Sequence, residues 1–371
     1  MSGSTSFVTV GTNPARVFGM AADDRARALA AKAGLRPVEG TVAGAGTIYA
    51  NLAYAWDPAW LSHLSATPGA VLVKDGRPVL AHIAPDADAT ALVAAMGQDT
   101  AVDTGDLECI DADTAELTNE LLRKRERPFV LRLDAEDTEL VERASYDASY
   151  KGVTDALTLY LWRKPAFYLT RWAALAGISP NQVTLVGFLF CIAAFYLFWT
   201  GWYWSGVATG FVFMVLDTVD GKLARCTGQS SEWGNILDHG VDLVHPPFWW
   251  WAWAHGLAAV GRPIEPVLEM LVLGIIVGGY VLQRLIEGAF LYRYKMHIHV
   301  WRRIDSQFRL ITARRNPNMV ILVAALAIGR PDLGLEWVAA WTLISLIFHW
   351  VRLVQANARR DRGRPVTSWL A

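Results

Sequence analysis

The sequence predicts a chain in two parts: a soluble α/β domain, then an α-helical polytopic membrane domain of about six transmembrane helices. Three observations predict it. Composition changes near residue 165, from mixed charge with many Ala, Asp and Thr to apolar blocks rich in Trp and Phe. No charged residue occurs between Trp172 and Leu216. Basic residues gather in alternate loops of the second part, as the positive-inside rule requires. The averages of 53% hydrophobic and 19% charged residues hide this division. A net charge of −1 gives no overall field suited to nucleic acid.

The first 145 residues alternate strand and helix signals. "SFVTVG" reads as a strand, "ADDRARALAAKAG" as a helix, "AVLVKDGRPVLAHI" as strand–turn–strand and "PFVLRLD" as a late strand. The opening "MSGSTSFVTVGTNPARVFG" lacks the basic and apolar regions of a signal peptide. Cys109, Cys191 and Cys226 are scattered; they suit a reducing compartment and form neither a disulfide framework nor a zinc set. Residues 146–180 are expected to be juxtamembrane. "ALTLYLWRKPAFYLTRWAALA" mixes apolar and basic residues around Pro165 and suits an amphipathic helix in the interface. Ser179-Pro180 then supplies a cap and a first-turn proline.

Spans are expected near Gln182–Thr200, Tyr203–Leu216, Asn235–Gly261, Pro266–Leu285, "NPNMVILVAALAIG" and Trp337–Val351. The fifth is short against the roughly 20 residues a crossing needs. The aromatic "WTGWYW" suits an interfacial belt. Arg163, Lys164 and Arg171 precede the first span. Arg293, Lys295, Arg302, Arg303, Arg309, Arg314 and Arg315 lie between the fourth and fifth. Arg352, Arg359, Arg360, Arg362 and Arg364 follow the sixth, leading into a tail at 356–371. Both termini and the segment after the second span are therefore expected on the cytoplasmic side.

That segment, "DTVDGKLARCTGQSSEWGNILDHGVD", carries the chemistry. Asp217 and Asp220 are three apart, Asp238 and Asp242 four apart, so on helices each pair shares a face. Carboxylates gathered at an apolar boundary need cations. An all-oxygen set favours Mg²⁺, Mn²⁺ or Ca²⁺ over zinc. Paired cations of this kind can clamp a pyrophosphate.

The spacing D-x2-D-G-x2-A-R-x8-G-x3-D-x3-D resembles the signature of the CDP-alcohol phosphotransferase family, on Asp217, Asp220, Gly221, Ala224, Arg225, Gly234, Asp238 and Asp242. The resemblance covers roughly residues 150–355, with the membrane domain placed at 181–355. It implies six transmembrane helices, a homodimer, and a reaction at the cytoplasmic membrane face. There an alcohol attacks the β-phosphorus of a CDP-linked donor and releases CMP. It implies two Mg²⁺ or Mn²⁺ ions held by Asp217, Asp220, Asp238 and Asp242, with Asp242 as the base. It implies a nucleotide pocket formed by Asp217, Asp220, Gly221, Ala224, Arg225, Gly234 and Asp238.

The leading donor is CDP-diacylglycerol, with a polar alcohol or inositol-phosphate-like acceptor; the reverse arrangement transfers from a small CDP-alcohol to a lipid or polyol hydroxyl. A non-catalytic metal-dependent scaffold or transporter is the alternative of another class, and an intact Arg225, Gly221 and Asp242 argue against it. Arg309, Arg314 and Arg315 are candidate acceptor ligands, because arginine suits phosphate oxygens. The expected location is the cytoplasmic (inner) membrane of a bacterium.

The histidines are weaker signals. His239 and His245 flank Asp242 and suit either a substrate contact or packing. His297 and His299 lack nearby partners in sequence, so a polar loop is expected there rather than a zinc pair. Cys226 reads as a small packed residue. The first domain also resembles the sugar-nucleotidyltransferase-like domains fused to this family in bacteria and archaea. "GTNPARVFG" holds its early loop, where the glycine-rich, Arg-containing signature is not evident. A degenerate domain that regulates, delivers substrate or supports a dimer is expected.

Overall fold

The computed structural model describes residues 5–40, 44–85, 87–120, 122–229 and 232–371, apart from the side chains of residues 232, 233, 235 and 237–239. The chain forms two compact units. One contains Met1–Tyr150, Phe167–Pro180 and Gly221–Ser230. The other contains Lys151–Ala166, Asn181–Asp220 and Ser231–Ala371.

The first unit is α/β. Its strands are β1 Ser6–Val10, β2 Arg16–Val17, β3 Met20–Ala21, β4 Arg36–Pro37, β5 Thr47–Asn51, β6 Tyr54–Trp56, β7 Ala70–Lys74, β8 Arg77–Ile83, β9 Glu108–Asp111, β10 Leu117–Asn119, β11 Lys124–Glu126 and β12 Val130–Arg132. Among the described residues the main sheet runs β4-β1-β5-β8-β7-β9. β1 is parallel to β4 and β5, β5 and β7 are antiparallel to β8, and β7 is parallel to β9. The helices are α1 Ala22–Lys32, α2 Ala59–Ala66, α3 Thr90–Gln98 and α4 Glu139–Ala148. Phe7, Ile48, Trp56, Trp60 and Leu80 share one buried cluster, and Val10, Val71, Ala81 and Met96 another. β5, β7 and β8 are buried along nearly their whole length, and the apolar stretches of β7 and β8 are the two arms of the expected strand–turn–strand.

A π-helical turn, Leu157–Leu161, precedes α5 Arg163–Leu175. Tyr160, Leu161, Tyr168, Trp172 and Leu175 are exposed on this stretch, as an interfacial segment needs. The second unit continues with α6 Pro180–Trp199, α7 Tyr203–Thr227, α8 Glu232–Gly256, α9 Pro266–Tyr294, α10 Arg303–Arg309, α11 Arg315–Ala327 and α12 Pro331–Asp361. A helix thus stands at each place where a span is expected. Among the described residues, α6, α9 and α12, of 20, 29 and 31 residues, are long and apolar enough to cross a membrane. α9 and α12 overrun their apolar segments because their final turns pair polar groups: Tyr294 donates to Asn357 at 2.7 Å.

The helices pack through large aromatic residues with polar handles. Trp249 Nε1 donates to the Cys191 carbonyl, Trp253 Nε1 to the Pro331 carbonyl and Tyr203 Oη to the Trp253 carbonyl, at 3.1, 3.1 and 2.7 Å. α9 and α12 approach closely, since a Cβ at Gly279 would lie 2.6 Å from Thr342 Cγ2. Outward, α9 exposes Val267, Met270, Leu271 and Leu285, an apolar face suited to lipid.

Helix α8 passes through Pro246 and Pro247, which carry no N–H to donate one turn back. The Leu243 carbonyl would have bonded the missing donor of Pro247. It instead accepts from Tyr280 Oη at 2.9 Å. This replacement from α9 restores the bond beside Asp242.

Candidate functional site: an aspartate pair bridged by arginine

Asp217 and Asp220 ride one face of α7 after its apolar stretch, and Asp242 lies on α8. The structure brings Asp217 and Asp242 together around one cation. Arg315, at the start of α11, donates from Nη2 to Asp217 Oδ2 and from Nη1 to Asp242 Oδ1, each at 2.8 Å. Its guanidinium lies 4.9 Å from the centre of the Phe213 ring. The Asp217 side chain is 15% exposed and that of Asp242 47%, so one carboxylate is enclosed and the other reachable. Asp220 is buried and accepts from Thr184 Oγ1 of α6 at 2.6 Å. The backbone of Asp238 and His239 belongs to α8; their side chains lie outside the described residues.

A polar chain runs outward from Arg315. Its Nε donates to Asn316 Oδ1 at 3.1 Å, and Asn316 Nδ2 donates to Asp155 Oδ1 at 3.0 Å. Asp155 also accepts from the Thr158 backbone N–H and hydroxyl. Burial pushes the Asp155 carboxyl up, but the Arg309 charge and these hydrogen bonds outweigh burial and hold it below the usual carboxylate range.

Gly221, Ala224 and Arg225 belong to the first unit. A Cβ at Gly221 would stand 3.1 Å from Arg225 Nη2, so the glycine leaves room for that guanidinium. The Ala224 carbonyl accepts from Lys32 Nζ at 2.8 Å. Lys222 is buried, donates to the Ser149 carbonyl and sits 3.1 Å from the Tyr150 ring centre. Cys226 is buried in the same unit. Gly234 lies near the start of α8 in the second unit.

The three candidate acceptor arginines all stand by carboxylates. Arg315 bridges Asp217 and Asp242, Arg309 faces Asp155, and Arg314 Nη2 donates to both oxygens of Glu287 at 2.7 and 2.6 Å. Glu287 also accepts from Arg284. Beside it stand His299 and His349, with ligand-type atoms of the three residues within 4.8 Å of one another. Sequence reasoning missed this cluster, because its members lie on α9, the loop after it and α12. Arg314 and Arg284 already neutralise Glu287, so a further dication would add charge without a partner. The cluster fits an arginine counter-ion. Desolvation holds His299 neutral, well below the usual imidazole range. His245 is also a packed residue: Nδ1 lies 2.6 Å from the Val241 carbonyl, and its ring contacts those of Phe213 and Trp249 edge-on.

Carboxylates from two helices of an apolar helical unit, converging on one cation, define a carboxylate centre at the end of a membrane-type bundle. The profile of the CDP-alcohol phosphatidyltransferase family matches residues 177–313, which include Asp217, Asp242 and Arg309. A phosphatidylinositol phosphate synthase of Mycobacteroides abscessus is 30% identical over 178 residues, covering 45% of this chain and 71% of that protein. An archaetidylinositol phosphate synthase of Pyrococcus horikoshii is 36% identical over 85 residues, or 22% of this chain and 44% of the relative. Cholinephosphotransferase 1 of Xenopus laevis is 29% identical over 125 residues, or 30% and 29%. The chain belongs to the CDP-alcohol phosphatidyltransferase family. It spans less than half the length of the archaeal and frog relatives.

Proposed function

We propose that the chain transfers a substituted phosphate group from a CDP-alcohol to an alcohol acceptor and releases CMP, in phospholipid or related phosphodiester synthesis. The observation that carries this reading is the convergence of Asp217 and Asp242 on one cation. An oxygen-only donor set that accepts a guanidinium there fits Mg²⁺ or Mn²⁺, with Asp217, Asp220, Asp238 and Asp242 as the holding residues. Bound there, two such ions would offset pyrophosphate charge. Asp242 is the base, and its partial exposure supports access by a hydroxyl. It takes the acceptor proton as the acceptor oxygen bonds to the β-phosphorus. The bond from that phosphorus to the CMP oxygen breaks, and CMP leaves with the electron pair. Gly221, Ala224, Arg225 and Gly234 shape the nucleotide pocket, with Arg225 balancing phosphate charge.

CDP-diacylglycerol is the leading donor and an inositol-phosphate-like alcohol the leading acceptor, supported by the names of the mycobacterial and archaeal relatives. Transfer from a small CDP-alcohol is the second reading, supported by the frog relative's name. Arg309 is the acceptor arginine most readily tested. Arg309→Gln should raise KM for a phosphorylated acceptor alone, and unchanged kinetics would remove it from the site. The enzyme works as a homodimer with six crossings, in the cytoplasmic membrane of a bacterium, with the aspartates and both termini on the cytoplasmic side.

The first domain is a degenerate nucleotidyltransferase-like cap. Its early loop uses its polar atoms on the fold, which supports this reading: Asn13 Nδ2 donates to the Leu52 and Leu133 carbonyls, and the Phe18 N–H donates to buried Glu142. Pyrophosphate release from CTP and inositol phosphate by the full chain would overturn it. The reaction itself is tested by CMP release from purified protein. EDTA should stop it and Mg²⁺ or Mn²⁺ restore it; full turnover after exhaustive chelation would remove the metal-dependent account.

A further inference from the structure

Arg315 begins α11, yet its side chain serves two other helices. It is joined to α7 through Asp217, across 98 positions of sequence, and to α8 through Asp242, across 73. Nε is held by Asn316, and Phe213 lies against the guanidinium. The side chain is 12% exposed. The guanidinium is therefore enclosed, and its two arms rest on oxygens that the proposed function gives to divalent cations.

We propose that Arg315 is the resident counter-cation of the aspartate centre. It holds Asp217 and Asp242 together without a divalent ion, competes with that ion for their oxygens, and on release turns to an anionic substrate phosphate. The inference rests on the metal-dependent reading above and adds an order to it.

The argument is electrostatic. Two carboxylates from separate helices repel unless a cation stands between them. Arg315 supplies one charge, and its planar fork reaches both carboxylates at once. A divalent ion on the same oxygens would meet that guanidinium at hydrogen-bond range. Both cannot keep that geometry, because like charges repel at that range and compete for the same oxygens. The metal's position is fixed by its ligands, whereas the arginine hangs on a flexible stem and is the partner that can move. Once displaced, it is a desolvated phosphate ligand beside the reacting centre. Cation binding and phosphate binding then favour each other, because each relieves a cost that the other would meet alone.

The test uses purified full-length protein, as wild type, Arg315→Gln and Arg315→Lys. Mn²⁺ binding is followed by loss of the free-ion electron paramagnetic resonance signal, with and without inorganic phosphate. Arg315→Gln should bind Mn²⁺ about tenfold more tightly or better, because the competitor is gone. It should also melt below wild type in EDTA and recover when Mn²⁺ is added. Arg315→Lys, which keeps the charge but loses the fork, should fall between the two and shows that the result does not depend on a folding defect. Phosphate should tighten Mn²⁺ binding in wild type and leave Arg315→Gln unchanged. Equal or weaker Mn²⁺ binding by Arg315→Gln, with wild type binding normally, would overturn the inference and leave the metal-dependent function standing. Absence of Mn²⁺ binding in all three proteins would instead overturn that function, and the inference with it.

Discussion

Glu287→Ala should be among the most damaging single changes in the helical unit, although Glu287 is distant in sequence from the aspartate motif. Glu287 accepts two bonds from Arg314 and one from Arg284, with His299 alongside. Its side chain is 16% exposed, and those of Arg314 and Arg284 are 23% and 24% exposed. An exposed pair would contribute only about 0–1 kcal/mol. Here one truncation leaves two largely enclosed guanidinium groups without their carboxylate, and breaking a buried pair costs about 3–5 kcal/mol. Partial exposure of the arginines screens part of that, so the lower end, about 3 kcal/mol, is expected. For a unit of about 150–250 residues this corresponds to a fall in Tm of about 6–12 °C. The assay is thermal unfolding of the full chain in detergent, monitored by circular dichroism. Adding Arg314→Ala to Glu287→Ala should recover part of the loss, because it removes one orphaned cation. A Glu287→Ala protein melting within about 1 °C of wild type, well below that range, would refute the counter-ion reading.

Other outcomes follow from local geometry. Asp57 is buried and pushed up to about 6 by desolvation, against an ordinary value of 3.8. The native state therefore binds the proton more tightly than the unfolded chain. The stabilisation from that proton is full below pH 3.8 and is lost as pH rises through about 6. Asp57→Asn can still accept the Ala59 N–H, so it should raise stability at pH 7.5 by up to about 3 kcal/mol and give no gain at pH 3.5, measured by urea unfolding. Gly256→Ala should destabilise the α6–α8 packing by about 1–3 kcal/mol, because a Cβ there would lie 2.0 Å from the Phe198 carbonyl oxygen; an unchanged Tm would contradict the close approach.

What the sequence revealed, and what it hid, follows from how far apart the partners lie along the chain. Helix positions were legible because lipid-facing and core-facing residues are both apolar, leaving long uncharged runs such as that ending at Leu216. Strands β1, β7, β8 and β12 were legible from short β-branched runs bounded by turn residues. Helix ends were less so. α9 runs nine residues beyond Leu285, carrying Glu287 and Tyr294 into polar pairings that hydropathy does not register. The spacing of Asp217 and Asp220 signalled a shared face, but nothing in the sequence marked Arg315, rather than a neighbouring arginine, as the bridge. His299 appeared to lack partners because Glu287 precedes it on α9 and His349 follows it on α12. Pro246 and Pro247 argue locally against a continuous α8; a hydroxyl from α9, placed by tertiary packing, offsets one of the two lost donors.

The most direct test of the account compares wild type with Asp242→Asn in CMP release from CDP-diacylglycerol and an inositol-phosphate acceptor, alongside CDP binding by both proteins. An amide keeps the shape of Asp242 but cannot take the hydroxyl proton. The account predicts a fall in kcat of about 10²–10⁴-fold with CDP affinity largely retained. An Asp242→Asn enzyme that turns over at the wild-type rate would contradict it.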